Sequence, residues 1–285
     1  MNGAPRGDSE TQERGTKETA PASTHLPPPL IIGHRGASAF APENTLAAFE
    51  RALKDGADGL EFDVQLTRDG VPVVIHDANL RRTALRDGKV SALSADELAR
   101  IDVGTWFNLH YPQLAHPRFS RERVPTLAQV LKSFAPRCHV LYVEMKCRAG
   151  ETGALASEVV NLVRADAHVE RVVVESFALD AIKEIKRLAP EIRTAALFDR
   201  KLSRLLPSSR KIIAQALDCG ANEIALHHSL VTSHIIQSAR RENLDTLAWT
   251  VDDPLWMQTE RAASLCAVIT NYPARMRAAL DAMRA

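Results

Sequence analysis

From residue 29 onward, short apolar and β-branched runs alternate with longer segments whose apolar residues recur at i, i+3 and i+4. The short runs read as strands at Leu30–Gly33, Gly59–Leu66, Val71–His76, Val140–Met145, Arg171–Ser176, Arg193–Phe198, Ala221–Leu226, Thr246–Val251 and Ala267–Thr270. The segments between most of them read as helices. "ENTLAAFERALKDG" runs to a glycine C-cap at Gly56, and "LDAIKEIKRLAP" is stopped by Pro190. Strands alternating with helices make parallel βα units.

One run breaks the alternation. Only Thr67–Gly70 separates Leu66 from Val71, whereas a parallel pair needs a crossover of about a dozen residues or more. Val71–His76 therefore returns antiparallel, turning at Asp69-Gly70. Eight parallel strands remain, and eight βα repeats in about 250 residues is the size of a closed (β/α)8 TIM barrel. An open doubly wound sheet is the alternative, weakened because no glycine-rich dinucleotide loop follows the first strand. Residues 77–125 become a small insertion after the second strand. It carries a helix signalled by the capping box Ser94-x-x-Glu97 and the aromatic pair Trp106-Phe107, and it is expected to cover the barrel mouth.

Composition narrows the class without changing this outline. The chain has 285 residues, 45% of them apolar and 25% charged, and a net charge of +1. That balance offers neither a basic stripe for nucleic acid nor an acidic tail. The four cysteines, Cys138, Cys147, Cys219 and Cys266, form no C-x-x-C pair. They read as small buried hydrophobes, which fits a reducing cytoplasm. No run of 18 or more apolar residues occurs, so no membrane span is expected. Residues 1–26 are polar and lack the apolar stretch of a secretory signal. The acids Asp8, Glu10, Glu13 and Glu18 argue against a transit peptide. The segment is expected to be a disordered tail ahead of one barrel domain at 27–285.

In a barrel the chemistry sits at the C-terminal ends of the strands. The first strand ends in "LIIGHRGASAFAPENT", which offers His34, able to exchange a proton near neutral pH, and Arg35, a fixed charge that forks onto carboxylates or phosphates. In "GLEFDVQL", Glu61 and Asp63 are two apart and share a face, while Leu60, Phe62 and Val64 point outward to the helices. Two carboxylates facing a barrel interior are costly unless neutralised. A two-residue turn would set His76 opposite Asp63, and a four-residue loop would set it opposite Glu61. A three-residue loop would turn it to the other face. Glu144 and Lys146 in "VLYVEMK" are again two apart. Three converging carboxylates, Glu61, Asp63 and Glu144, suit a hard ion, Mg²⁺ or Ca²⁺. Later strands end in Ser176, His227/His228, Trp249 and Asn271. Trp249 reads as an apolar wall of a substrate pocket, and the two histidines read equally as rim residues or as ligands.

Taken in order, "HRG…PENT…EFDVQLTRDGVPVVIHD…VEMK…WTVDD" resembles the glycerophosphodiester phosphodiesterases. The resemblance covers residue 31 to about residue 275, and "GTWF" and "RVPTLAQVL" in the insertion look like the bacterial type. It implies a TIM barrel, metal dependence, and hydrolysis of small glycerophosphodiesters to glycerol 3-phosphate and an alcohol. By motif position His34 and His76 match the catalytic pair, Glu61, Asp63 and Glu144 the metal ligands, and Arg35 and Lys146 the phosphate contacts. One histidine would take the proton of the neighbouring glycerol hydroxyl, the other would protonate the leaving alcohol, and a cyclic phosphate would be opened with the roles reversed. The sequence does not assign which histidine does which. One position departs from the pattern: "ITNYP" has Asn271 where many relatives have aspartate. Two rivals share the scaffold. A lysophospholipase D would need an apolar mouth, which Trp106, Phe107 and Trp249 supply only modestly, and no basic amphipathic stretch supports membrane residence. A non-catalytic phosphate-binding barrel would be expected to have lost a histidine or a ligand, and none is lost here.

Overall fold

The computed structural model describes residues 1, 3, 27–148, 150–200 and 208–283. The expected tail at 1–26 therefore lies almost wholly outside the described residues. Nine strands form one sheet: β1 (Leu30–His34), β2 (Gly59–Leu66), β3 (Pro72–Val74), β4 (Val140–Met145), β5 (Val172–Ser176), β6 (Arg193–Phe198), β7 (Glu223–His227), β8 (Asp245–Trp249) and β9 (Ala267–Thr270). All neighbours are parallel except β2 and β3. Strand β1 pairs with β9 on one side and β2 on the other, with His34 opposite Glu61, and this second pairing closes the eight parallel strands into a barrel. Their alternation places Leu60, Phe62 and Val64 in the layer under the helices. Ile32, Tyr142, Leu197 and Leu247 fill the lumen.

The first helix, α1 (Leu46–Lys54), shows how the local sequence sets the frame. Thr45 caps it by accepting from the Ala48 N–H, and Gly56 follows its end at φ 83°. Its inner face packs Phe49 on Phe62. Gly36 sits at φ 83°, with a built Cβ only 2.5 Å from the Ala48 backbone, so a glycine is required where β1 turns against α1.

The hairpin differs from either favoured register. Val64 lies opposite Val74 and Leu66 opposite Pro72, so three residues, 68–70, form the loop between Thr67 and Val71. The Thr67 hydroxyl donates to Asp69, and Gly70 takes a left-handed φ of 79°. This register would turn His76 away from Glu61 and Asp63 if the ladder continued. It does not continue: the last bond runs from the Ile75 N–H to the Asp63 carbonyl (3.0 Å), and the chain bends at His76. The Gln65 amide, buried beneath, donates to the Ile75 and His76 carbonyls. The early end of β3 restores what the register would have lost.

Helices α2 (Arg81–Ala84), α3 (Ala95–Leu98) and α4 (Thr105–His110) belong to the insertion. The Ser94–Glu97 capping box forms at α3. The insertion has its own small core, in which Leu80, Val90, Leu98 and Val103 pack on Val73 and Ile75. It therefore stands on the hairpin beside the mouth. None of the residues from 77 to 125 lines the chamber described below. Trp106 and Phe107 face inward, packed with Ala41, Ala48 and Phe119, so they form a joint between insertion and barrel rather than an apolar lip. The larger helices α5 (Leu127–Phe134), α6 (Thr152–Ala165), α7 (Leu179–Leu188), α8 (Ser209–Asp218), α9 (Ser233–Arg241) and α10 (Pro273–Ala282) complete the outer layer. Among the described residues no helix is long and apolar enough to cross a membrane.

If Phe107 is a joint, Phe107→Ala should cost about 3–5 kcal/mol, the usual range for emptying a buried aromatic site. Chemical denaturation checks this, and a loss under about 1 kcal/mol would return the side chain to the surface.

Candidate active site

His34 closes β1, and the next two residues leave the strand with φ of 55° at Arg35 and 83° at Gly36. A non-glycine residue held at positive φ is uncommon. Here the Arg35 N–H is fixed by both the carbonyl (2.8 Å) and the carboxylate (3.0 Å) of Glu61. The "PENT" stretch supplies the rest of the frame. Glu43 accepts from Arg35 (3.0 Å) and from Arg82 (2.7 Å), while Asn44 donates to Asp63 (2.8 Å) and takes back its N–H. Sequence reasoning quoted this stretch without giving Glu43 or Asn44 a role.

Glu61, Asp63 and Glu144 come together, each presenting an oxygen within 4.8 Å of the others, and all three are buried. Arg35 Nε lies 3.1 Å from Asp63 Oδ2, and Lys146 Nζ lies 3.0 Å from Asp63 Oδ1 and 2.7 Å from Glu144. Among the described residues, geometry gives the buried Asp63 Oδ1 the Lys146 ion pair but no well-aligned hydrogen bond. His34 directs Nδ1 to Asn271 Oδ1 (2.7 Å) and Nε2 toward Glu61 (3.8 Å). His76 holds Asp77 through Nδ1 (2.6 Å), and Asp77 in turn accepts from Arg82. These groups open into one chamber of about 390 Å³, walled farther out by Phe177, Leu197, Asp199 and Trp249. Trp249 is fixed by its indole N–H on the Ala225 carbonyl and by edge contacts with Phe177 and His227. All eight residues singled out for the site line this chamber or its floor. The Ser176 hydroxyl turns instead to the Met145 carbonyl, and His227 and His228 stack on each other outside the chamber wall. A groove of similar size, about 380 Å³, opens at the other end of the barrel beside Leu30, Asp245 and Cys266. It gathers no comparable set of groups.

Burial and crowding set the charge states. Burial, then the neighbouring Asp63 carboxylate, pushes Glu144 up to about 7. The same causes raise Glu61 well above the usual carboxylate range, with Glu144 adding to them. Burial also works against ionised Asp63, but Arg35 and Lys146 overcome it and hold that carboxyl well below its usual range. Burial, then Arg35, lowers His34 to about 4. His76 is lowered chiefly by burial, with Asp63 and Asp77 opposing.

One residue was missed. Glu175 on β5 lies beside Glu144, is 1% exposed, and lines the chamber with Oε2 accepting no hydrogen bond among the described residues. Burial and the acids around it raise its carboxyl well above the usual range. The parity that marks Glu61 and Asp63 is present in "VVVES", where Glu175 stands one residue before the strand end at Ser176.

A model of the glycerophosphoryl diester phosphodiesterase family matches residues 34–275. The chain belongs to that family. A glycerophosphodiester phosphodiesterase of Caldanaerobacter subterraneus is 29% identical over 244 residues, spanning 86% of this chain and 94% of the relative. One from Bacillus subtilis (strain 168) is 29% identical over 251 residues, spanning 86% and 84%. Among solved structures, an Oleispira antarctica phosphodiesterase in complex with the product sn-glycerol-3-phosphate superposes with a TM-score of 0.78 at 26% identity, covering 89% of this chain and 97% of its own. As a member of the family the chain is an enzyme, a phosphoric diester hydrolase.

The acids of the site make stability depend on pH in a definite direction. A carboxyl whose folded pKa is raised binds more protons in the folded state, so its contribution is present at low pH and lost as pH rises through the raised value. For Glu144 that window runs from the ordinary carboxylate range to about 7, and Glu61 and Glu175 act in the same sense. Chelated protein should therefore melt at a lower temperature at pH 8 than at pH 5.5. Added Mg²⁺ or Ca²⁺ should raise the melting temperature more at pH 8, where the carboxylates are bare. A melting profile flat in pH and insensitive to both ions would contradict this.

Proposed function

We propose that this enzyme hydrolyses small-molecule glycerophosphodiesters to glycerol 3-phosphate and an alcohol, using a divalent cation and the histidine pair. The observation that carries the reading is the convergence, at one chamber, of three buried carboxylates with Arg35, Lys146, His34 and His76. The product bound in the Oleispira relative supports the substrate class.

The donor set fits a hard cation. Its oxygens lie within 4.8 Å of one another, and among the described residues buried Asp63 Oδ1 has no well-aligned hydrogen bond. Glu61, Asp63 and Glu144 would hold Mg²⁺ or Ca²⁺, which when bound polarises a phosphate oxygen and offsets the charge growing on it. The remaining steps belong to the chain. Arg35 and Lys146 contact the phosphate oxygens, for which a guanidinium fork and an ammonium are suited. One histidine takes the proton of the glycerol hydroxyl adjacent to the ester, and that oxygen bonds to phosphorus as the bond to the leaving oxygen breaks. The other histidine protonates the departing alcohol. Water then opens the five-membered cyclic phosphate with the two roles exchanged. Trp249 and Phe177 wall the substrate.

The substrate is small, with no role for nucleic acid and no stable membrane insertion. All four cysteines are unpaired, which supports a cytoplasmic setting. The rival lysophospholipase D reading asks for an apolar lip, and Trp106 and Phe107 are buried in the insertion.

A substrate panel tests the reading. Glycerophosphocholine should be hydrolysed with Mg²⁺ or Ca²⁺ and not after exhaustive chelation, and lysophosphatidylcholine should be a poor substrate. Full turnover in the chelated enzyme would remove the cation from the scheme. The cyclic route has its own test in a phosphodiester of propane-1,3-diol, which lacks the attacking hydroxyl. If that hydroxyl is the nucleophile, its loss removes an advantage of about 7–11 kcal/mol. If water attacks directly, only a hydrogen bond of roughly 0.5–1.5 kcal/mol is lost. Hydrolysis within about tenfold of the natural substrate, near 1.4 kcal/mol, would exclude the cyclic phosphate.

A further inference from the structure

Asp252 lies just beyond β8, outside the chamber lining, and the reaction as described gives it no role. Its carboxylate is nonetheless the anchor of a directed chain of hydrogen bonds. Oδ1 accepts from the Asn271 backbone N–H (2.8 Å) and the Thr270 hydroxyl (3.0 Å). Oδ2 accepts from the Asn271 side-chain amide nitrogen (2.7 Å). An ionised carboxylate only accepts, so it must face the NH₂ end of Asn271. That leaves Asn271 Oδ1 to face the other way, where it takes the Ser38 hydroxyl (2.7 Å) and His34 Nδ1 (2.7 Å). An amide oxygen cannot donate, so the proton between Oδ1 and the ring sits on Nδ1. In a neutral imidazole the other nitrogen is then bare.

We propose that Asp252 is a positioning residue that acts through Asn271 to lock His34 in the Nδ1–H tautomer, so that an unprotonated Nε2 faces the chamber ready to accept a proton. The departure at Asn271 gains a meaning from this. Where an aspartate would meet the ring directly, this chain sets an amide against the ring and the carboxylate one step behind. The amide alone has no polarity of its own, because either end fits a histidine nitrogen. Asp252 supplies the direction, and the Ser38 hydroxyl, able to donate or accept, follows it by donating to Asn271 Oδ1.

The inference rests on the reading of His34 as a proton-transfer group, and its first test needs no turnover. In ¹⁵N-histidine-labelled, metal-loaded enzyme near pH 7.5, with His34 assigned by comparison with His34→Gln, Nδ1 should carry the proton and Nε2 should be bare. Asp252→Asn removes the direction. It should give a mixed tautomer and lower kcat by about 10–100-fold, the range seen when an outer hydrogen-bond partner is lost, with KM changed far less. The double variant Asp252→Asn/Asn271→Asp rebuilds the chain with the carboxylate against the ring, and should recover most of the kcat. A wild-type His34 carrying its proton on Nε2 would overturn the proposal. So would an Asp252→Asn enzyme with unchanged tautomer and kcat, or a folded double variant no better than the single. Absence of turnover with every glycerophosphodiester would instead overturn the functional reading and leave the tautomer measurement to decide this one.

Discussion

Charge balance among buried groups is the constraint on which the rest of the site depends. Three carboxylates share the barrel mouth with two fixed cations, Arg35 and Lys146. Isolated ions of this kind would cost several kcal/mol each to bury. Without a further positive charge the cluster answers by holding protons, which is why Glu61 and Glu144 are raised while Asp63, between the two cations, stays ionised. With all three acids ionised instead, three carboxylates against two cations leave one negative charge in excess, and a phosphodiester would bring a second. A divalent cation would balance both. The same count explains why cations and acids sit so close before any substrate arrives: each holds the other in place, and neither is left alone in a low dielectric.

The frame around this cluster is built from short-range chemistry that the sequence displays. The parity of Glu61 and Asp63, the Thr45 cap on α1, the Ser94–Glu97 box and the antiparallel return of β3 all follow from period, capping and loop length. Eight parallel strands and their closure were legible for the same reason. What was not legible depended on counts of one residue or on contacts between distant segments. The hairpin takes a three-residue loop because the Thr67 and Asp69 side chains and left-handed Gly70 close it locally, and nothing in the strand pattern foretells that. The bend that returns His76 to the chamber is held by Gln65, eleven residues away.

The same distinction sorts the side chains. Residues at strand ends were found because a barrel points them to the mouth. Glu175 was overlooked one residue short of such an end, although its parity with Glu144 across the β4–β5 register makes it a chamber residue. Glu43, Asn44 and Asp252 lie on loops, where no period says which way a side chain turns, and each acts on a group far along the chain. For a related reason the sequence does not place Trp106 and Phe107. An aromatic pair in an insertion looks equally like a lip and like a core, and only the packing on Ala41 and Ala48 of the barrel decides.

The two histidines end the strand-and-hairpin logic with unlike company. His34 is buried beside Arg35, and both features disfavour a positive ring, with the hydrogen bond to the Asn271 amide opposing them. His76 leans on the Asp77 carboxylate, which is itself shared with Arg82, and faces the ionised Asp63 at longer range. The proposed reaction asks one ring to take a proton and the other to give one, and that calls for such inequality in their surroundings. The inequality costs no special residue. It comes from which neighbour each ring nitrogen meets, and those neighbours are delivered by the last barrel strand for one histidine and by the start of the insertion for the other. The insertion therefore reaches the site without lining the chamber: it sets Arg82 against Asp77 and Glu43, and through them holds both His76 and Arg35.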